Sequence, residues 1–404
     1  MKLKINITFF LLLICATTLS SQSRTASDTI LDMINNRLDL GVKQEIHMSR
    51  EVMMQQGKFP LTIDKNNNLL FCDTTSWTCG FFPGTLWYLY GYSNNKQVKQ
   101  YAQLFSNRLE GMQNATNTHD IGFIVYCGLG EGYRLTKDAD YRAKIEKAAQ
   151  SLCTRFNPII GCIKSWDRGK GVYPVIIDNM MNLELLFEAS KLTGNPKFRE
   201  IAISHANVTM KNHFRKDGSC YHVVFYNSDN GTVVARKTRQ GYADESSWAR
   251  GQAWALYGYT MCYRETKKLA YLRQAQKVAA FILTHPRLPK DKIPYWDFDD
   301  PNIPNTYRDA SAGAVICSAL IELSQYVPQA VGRKYLNVAK TQLLTLSSSS
   351  YFARIGTNGN FLIKHNVGSM PDNLEIDVPL PYADYYYIEA LLRYRKLILG
   401  ETLF

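Results

Sequence analysis

Zinc and dithiol signatures are missing from this sequence. Its nine cysteines include no C-x-x-C pair and its seven histidines no H-E-x-x-H arrangement, so no metal centre or redox dithiol of familiar spacing is encoded. A basic run is also lacking. Lys and Arg total 47 against 35 Asp and Glu, for a formal charge of +12. They are scattered, however, and no nucleic-acid motif accompanies them, which argues against a nucleic-acid partner. The apolar stretch from Ile5 to Ile14 is too short to span a bilayer, so no transmembrane segment is expected.

That stretch has another reading. Lys2 and Lys4 precede it and small residues follow as far as Ser21, the pattern of a secretory signal peptide cut near Gln22. Residues 1–21 are therefore expected to be removed, leaving 22–404 as a single catalytic domain, exported and most simply periplasmic. Cys15 follows the bulky Ile14, which speaks against lipoprotein processing. Loss of two lysines leaves a charge of +10, which attracts an anionic partner, and for an exported protein an acidic polysaccharide fits. Hydrophobic residues make up 46% and aromatics 12%, enough for a large core. Most of the eight remaining cysteines lie in apolar stretches and read as buried thiols. Cys153 and Cys162 flank a loop and could pair in an oxidising compartment.

Five segments share one pattern: a helix, a polar turn, and a second helix opening with an aromatic, at Tyr101, Tyr141, Phe198, Tyr271 and Tyr335. They read as short turns between antiparallel helices, at intervals too irregular for a tetratricopeptide array. Longer connections fall at about 156–174, 214–243, 286–308 and 347–379. In the second, Tyr221–Tyr226 and Thr232–Ala235 alternate around Asn-Ser-Asp-Asn-Gly and read as a β-hairpin. With short turns on one side and long loops on the other, a closed ring of six hairpins would carry its active site on the long-loop face.

Two acids stand where such a scaffold would present them. Asp120 and Asp178 each open a strongly apolar, helix-patterned run, and Asp178, Met181, Asn182, Leu185, Leu186 and Ala189 share one face, which should point inward. Each could instead only cap its helix. Arg250 and Trp254 lie one turn apart on another helix, positioned to clamp a carboxylate and stack on a sugar. A core tryptophan beside a structural ion pair is the plainer account of either one alone. Trp77 could merely belong to an aromatic-rich helix, and Trp166 could plug its own loop.

As a set these residues resemble the unsaturated glucuronyl hydrolases, glycoside hydrolase family 88, from about residue 30 to the C-terminus. The resemblance is carried by Trp77-Thr-Cys-Gly-Phe-Phe-Pro-Gly, His119-Asp120-Ile-Gly-Phe, Asp178-Asn-Met-Met-Asn, the stretch from Asp244 to Gly258, and Pro379-Leu-Pro-Tyr-Ala-Asp-Tyr-Tyr. It implies an all-α (α/α)6 barrel, in agreement with the hairpin pattern. It also implies that Asp178 is the general acid/base, that Asp120 is a second essential carboxylate, and that Trp77, His119, Trp166, His222, Gln240, Arg250 and Trp254 contact substrate. Lys364 and Ser369, in the last long loop, are candidates for reading sulfation at the next sugar.

The implied substrate is an acidic oligosaccharide left by a polysaccharide lyase, a heparin or heparan, chondroitin or hyaluronan fragment with a 4,5-unsaturated uronic acid at its non-reducing end. Its C4=C5 bond is a vinyl ether. One carboxyl that protonates C4 and then helps water add at C5 suffices for the reaction, so no cofactor and no metal is implied. This differs from ordinary glycosidases, whose two carboxyl groups flank the anomeric bond. Two alternatives stay open: an unsaturated rhamnogalacturonyl hydrolase acting on pectin fragments, and a noncatalytic glycan-binding protein.

Overall fold

The computed structural model describes residues 26–167 and 171–404. The expected signal peptide lies outside the described residues. Among them are twelve α-helices, arranged as two concentric rings. The inner ring is α2 (Phe81–Ser93), α4 (Cys127–Thr136), α6 (Asn179–Thr193), α8 (Ala249–Thr266), α10 (Ala310–Leu323) and α12 (Pro381–Ile398). Each inner helix packs against the next, α6 meeting α4 through a π-helical turn at Gly122–Tyr126, and α12 returns to α2 to close the ring. Outside them run α1 (Ala26–Met53), α3 (Lys96–Asn107), α5 (Ala139–Cys153), α7 (Pro196–Asn212), α9 (Leu269–Thr284) and α11 (Gln329–Leu346). The expected six-hairpin α/α barrel is the fold.

Sequence assigns each helix to its ring. α10 is buried along its whole length and α8 from Ala249 to Cys262, as helices apolar on all sides must be. α3 buries only Val98, Ala102, Phe105 and Ser106, a single stripe. All five expected turns are present, and four share one device. The last helical residue, Ser93, Thr136, Thr193 or Thr266, returns its hydroxyl to the carbonyl four residues back and accepts the N–H of the residue two ahead. Between them sits a left-handed residue, Asn94, Lys137, Gly194 or Lys267. In three of the four, Asn95, Asp138 and Asn195 then cap the outgoing helix with their side chains.

All the strands lie in the long connections. β1 (Phe59–Ile63) pairs with β2 (Leu69–Cys72), β3 (Phe156–Asn157) with β4 (Cys162–Ile163), and β8 (Asn366–Ser369) with β9 (Leu374–Val378). The expected hairpin is β6 (Val223–Asn227) and β7 (Val233–Lys237), but it carries a third strand, β5 (Val172–Ile176), antiparallel to β6. Cys153 and Cys162 are free thiols, like the other six described cysteines; Cys162 turns its sulfur toward the His205 carbonyl at 4.0 Å. No described helix is long and apolar enough to cross a membrane.

Candidate active site

The β5–β6 register builds the centre of the site. Ile176 opposes Val223, and one residue on, the Ile177 N–H donates to the His222 carbonyl at 3.0 Å. Asp178 is thereby delivered to the head of α6 beside His222. Although it occupies the N-cap position, its backbone is helical (φ −56°, ψ −28°) and its side chain makes no capping hydrogen bond. It is 8% exposed, and Oδ2 has no hydrogen-bond partner. The carboxyl is therefore held for something other than the helix. Burial pushes its pKa up to about 7; Arg250 opposes the rise and Asp120 adds to it by like-charge repulsion.

His222 faces this carboxyl with Nε2 at 3.6 Å. Its Nδ1 accepts the N–H groups of Arg239 (3.1 Å) and Gln240 (3.3 Å), which fixes the proton of the neutral ring on Nε2. Burial, with Arg250 nearby, keeps the imidazole uncharged. Its ring lies on Trp248 at 4.5 Å.

Asp120 comes from the neighbouring hairpin, at the mouth of the π-helical turn. Its Oδ2 accepts from Thr118 Oγ1 at 3.0 Å, and Oδ1 is 3.4 Å from His119 Nε2. It too is no cap. Phe123 N–H donates to Asn182 Oδ1 at 2.9 Å, tying this turn to α6 one helical turn beyond Asp178. A Cβ on Gly122 would stand 2.6 Å from Asn182 Cα, so only glycine lets the two acid-bearing segments approach this closely. His119 is buried, with its pKa lowered by that burial, and neither ring nitrogen has a hydrogen-bond partner.

Arg250 and Trp254 depart from the roles read for them. Arg250 Nη1 pairs with Asp309 at 2.9 Å and also donates to the Val367 carbonyl, while Nη2 donates to the Gly368 carbonyl at 2.6 Å. Its fork is spent inside the protein, so it offers a fixed positive charge and an unpartnered Nε rather than a bidentate clamp. Trp254 is fully buried and has no ring face left for a sugar; what it presents is its indole N–H, directed at Asp178. In both cases the helix is packed on every side, so each side chain is left with one unpartnered nitrogen.

Around this centre, Trp77 is half-buried and lies 4.9 Å from Tyr382 and 5.4 Å from Phe123. Gln240 Nε2 donates to the Gly368 carbonyl at 2.9 Å. Trp166 is half-buried next to Ser165, whose hydroxyl accepts the Ile176 N–H at 3.0 Å. Lys364 Nζ donates to the Ser349 carbonyl at 2.8 Å, and Ser369 Oγ donates to Asp372 at 2.7 Å.

Three residues were not anticipated. Asp309 anchors Arg250. Tyr382 is fully buried with an unpartnered hydroxyl, and Arg250 lies over its ring at 5.3 Å. Glu375, on β9, lays its carboxyl against Gly368; burial raises its pKa and Arg250 opposes the rise. Tyr382 had a signal, as the aromatic of Pro379-Leu-Pro-Tyr. Glu375 had none. Buried polar atoms without partners are rare in folded proteins, yet Asp178 Oδ2, His222 Nε2, Trp254 Nε1, Arg250 Nε and Tyr382 Oη are all of this kind. A polar ligand would satisfy them.

A helical double ring around a buried, non-capping carboxyl whose pKa is pushed up to about 7 defines an α/α barrel with a candidate acid at its centre. The Glycosyl Hydrolase Family 88 model matches residues 47–400, and the chain belongs to that family. It is 47% identical over 326 residues to an unsaturated glucuronyl hydrolase of Formosa agariphila, covering 80% of this chain and 81% of that one. It is 33% identical over 371 residues to an unsaturated chondroitin disaccharide hydrolase of Streptococcus pyogenes serotype M1, covering 90% and 91%. A crystal structure of an unsaturated glucuronyl hydrolase specific for heparin superposes with a TM-score of 0.88 at 46% identity, over 91% of this chain and 98% of that one.

Proposed function

We propose that this chain removes the 4,5-unsaturated uronic acid from the non-reducing end of lyase-generated glycosaminoglycan fragments, with Asp178 as the acid and base. The observation that carries this reading is the buried, non-capping carboxyl of Asp178 with a pKa near 7, a value suited to giving and then taking a proton. Its O–H bond breaks as the alkene electrons form a C4–H bond, and positive charge develops on C5 and the ring oxygen. The Asp178 carboxylate then draws a proton from water as the water adds to C5. The resulting hemiketal opens and expels the remaining sugar. His222 Nε2–H and Trp254 Nε1–H orient the carboxyl, Asp120 and His119 hold sugar hydroxyls, Trp77, Trp166 and Gln240 wall the ring, and Tyr382 offers its unpartnered hydroxyl. Relatives named for heparin and for chondroitin disaccharides support glycosaminoglycan substrates over pectin fragments, and the buried acid favours an enzyme over a simple glycan binder.

Asp178→Asn is expected to keep the fold and to lower turnover by about a thousandfold or more, read as loss of double-bond absorbance with unsaturated heparin and chondroitin disaccharides. Near-normal turnover in the purified variant would overturn the assignment. Export to the periplasm is part of the proposal, supported by the pattern of residues 1–21; a mature N-terminus near Gln22 would bear it out. So is a role for Lys364 and Ser369 at the neighbouring sugar, which unchanged rates for Lys364→Ala on sulfated disaccharides would remove.

A further inference from the structure

One buried carboxyl takes no part in the steps above. Asp297, in the connection before α10, is fully buried, and both its oxygens are in use. Oδ2 accepts the Tyr242 N–H at 2.9 Å and the Ser246 hydroxyl at 2.7 Å, and Oδ1 accepts the Asp299 N–H at 2.9 Å. Burial pushes its pKa up to about 6, and these three bonds oppose the rise. None of its hydrogen bonds goes to Asp178 or His222. What it holds is the turn that does reach His222.

That turn runs from Thr238 to Ser246, between β7 and α8. Its entry is fixed by Asp244, which accepts the Thr238 N–H at 2.9 Å, and by Thr238 Oγ1, which accepts the Gly241 N–H at 2.8 Å. Its exit is fixed by Asp297 through Tyr242 and Ser246, and Ser246 Oγ takes the Ala243 N–H at 3.0 Å. Arg239 and Gln240 sit between these two anchors, and theirs are the N–H groups on His222 Nδ1. The turn is wound tightly. A Cβ on Gly241 would stand 2.6 Å from Thr238 Oγ1 and 3.1 Å from Asp297 Oδ2, so the carboxyl closes on the residue next to the two donors. The backbone of Asp297 also bridges that of Trp248, whose ring lies against His222 at 4.5 Å. The imidazole is thus gripped at its Nδ1 edge and on its face by two segments that meet at Asp297.

We propose that Asp297 is a positioning residue for the reaction: by holding the 238–246 turn it keeps two N–H groups on His222 Nδ1, and so keeps the ring's one proton on Nε2, facing the Asp178 carboxyl. The choice of nitrogen matters to the acid. With Nε2–H toward Oδ2 the imidazole donates, and the proton of Asp178 stays free for C4 of the alkene. With the proton on Nδ1, Nε2 is a bare acceptor 3.6 Å from Oδ2, and the protonated carboxyl donates to it instead of to substrate. Losing the Asp297 acceptor strips the Tyr242 N–H and the buried Ser246 hydroxyl of their partner, which lets the turn move off Nδ1. The assignment rests on the hydrolase reading and extends it to a residue that acts on the acid only through His222.

Asp297→Asn keeps the shape of the side chain but puts an NH2 where one side needs an acceptor. Its kcat on an unsaturated disaccharide is expected to fall by about tenfold or more, with KM changed by less than about twofold. The milder Ser246→Ala removes one of the three bonds and is expected to lower kcat by about two- to threefold, which keeps the test alive should the first variant not fold. Both are read together with the nitrogen-15 spectrum of histidine-labelled protein, in which the His222 signals are those missing from His222→Gln. Wild type should show the His222 proton on Nε2, and each variant a share of it moved to Nδ1. A wild-type proton on Nδ1, or a His222 spectrum that both variants leave unmoved, overturns the assignment whatever happens to kcat; so does a kcat that neither variant lowers. A wild type that consumes no unsaturated disaccharide is a different failure. It sinks the hydrolase reading, while the spectrum still reports whether Asp297 holds His222.

Discussion

Asp178 is pulled two ways at once. Burial and the neighbouring Asp120 favour its neutral form, while Arg250 favours the carboxylate, and the outcome near 7 suits the acid-and-base role proposed for it. Removing one contributor moves the balance in a known direction. Asp120→Asn deletes a negative charge, which stabilises ionised Asp178 and lowers its pKa. The protonated acid is then lost at lower pH, so the alkaline limb of kcat/KM against pH should move down by about half a unit to one unit, alongside a fall in rate from lost sugar contacts. An unmoved limb would confine Asp120 to binding. At this scale sequence could place both acids at helix starts but could not separate cap from inward acid, because the same letter in the same place serves either purpose. The difference lies in the missing capping bond. Arg250 and Trp254 were readable as a pair one turn apart, yet how much of each side chain is spent on Asp309, Gly368 and surrounding helices depends on residues more than fifty positions away.

The hairpins were legible because their turns are local. A hydroxyl at the helix end, a left-handed residue and an Asn or Asp cap form within a few consecutive residues, so the pattern survives in one dimension. Replacing Asn195 and Thr193 by Ala and Val should cost about 1 kcal/mol each in urea unfolding and leave turnover alone, since both lie at the short-turn end. Loss of activity in proportion to stability would instead link the two ends of the barrel. Strand β5 was illegible for a physical reason: Pro174 interrupts Val172-Tyr-Pro-Val-Ile, and proline demotes a strand unless it lies at a sheet edge. The sheet order puts β5 at the edge, a fact that depends on its partner. The π-helical turn was equally hidden. Its residues carry an ordinary helical pattern, and the Phe123 N–H within it donates to Asn182 of another hairpin.

At the scale of the whole molecule, the short-turn end of the barrel is held by a charge network joining four inner helices. Arg264 of α8 pairs with Glu184 of α6 and with Glu322 of α10 at 2.9 Å, and Arg393 of α12 joins Glu322 and Glu389 at 3.1 Å each. Burial pushes Glu184 up to about 7, with Arg264 opposing. Taking away Arg264 leaves two acids crowded in a poor solvent. Arg264→Ala is accordingly expected to destabilise the fold by about 3 kcal/mol or more in urea unfolding at neutral pH, with part of the loss recovered in acid as Glu184 takes a proton. Wild-type stability in this variant would show that ring closure rests on apolar packing alone. The sequence by itself determined the helical hairpins, their number and order, the side on which the long loops gather, the family, and the positions of both aspartates, because each of these is written in short-range patterns or in ordered motifs. Tertiary structure alone decided that Asp178 is buried without capping its helix and has its pKa pushed up to about 7, that Arg250 and Trp254 are each left with one unpartnered nitrogen, and that Glu375 and Tyr382 lie beside Arg250. Those properties come from what surrounds a side chain, and here the surroundings are assembled from six hairpins whose residues meet only when the ring closes.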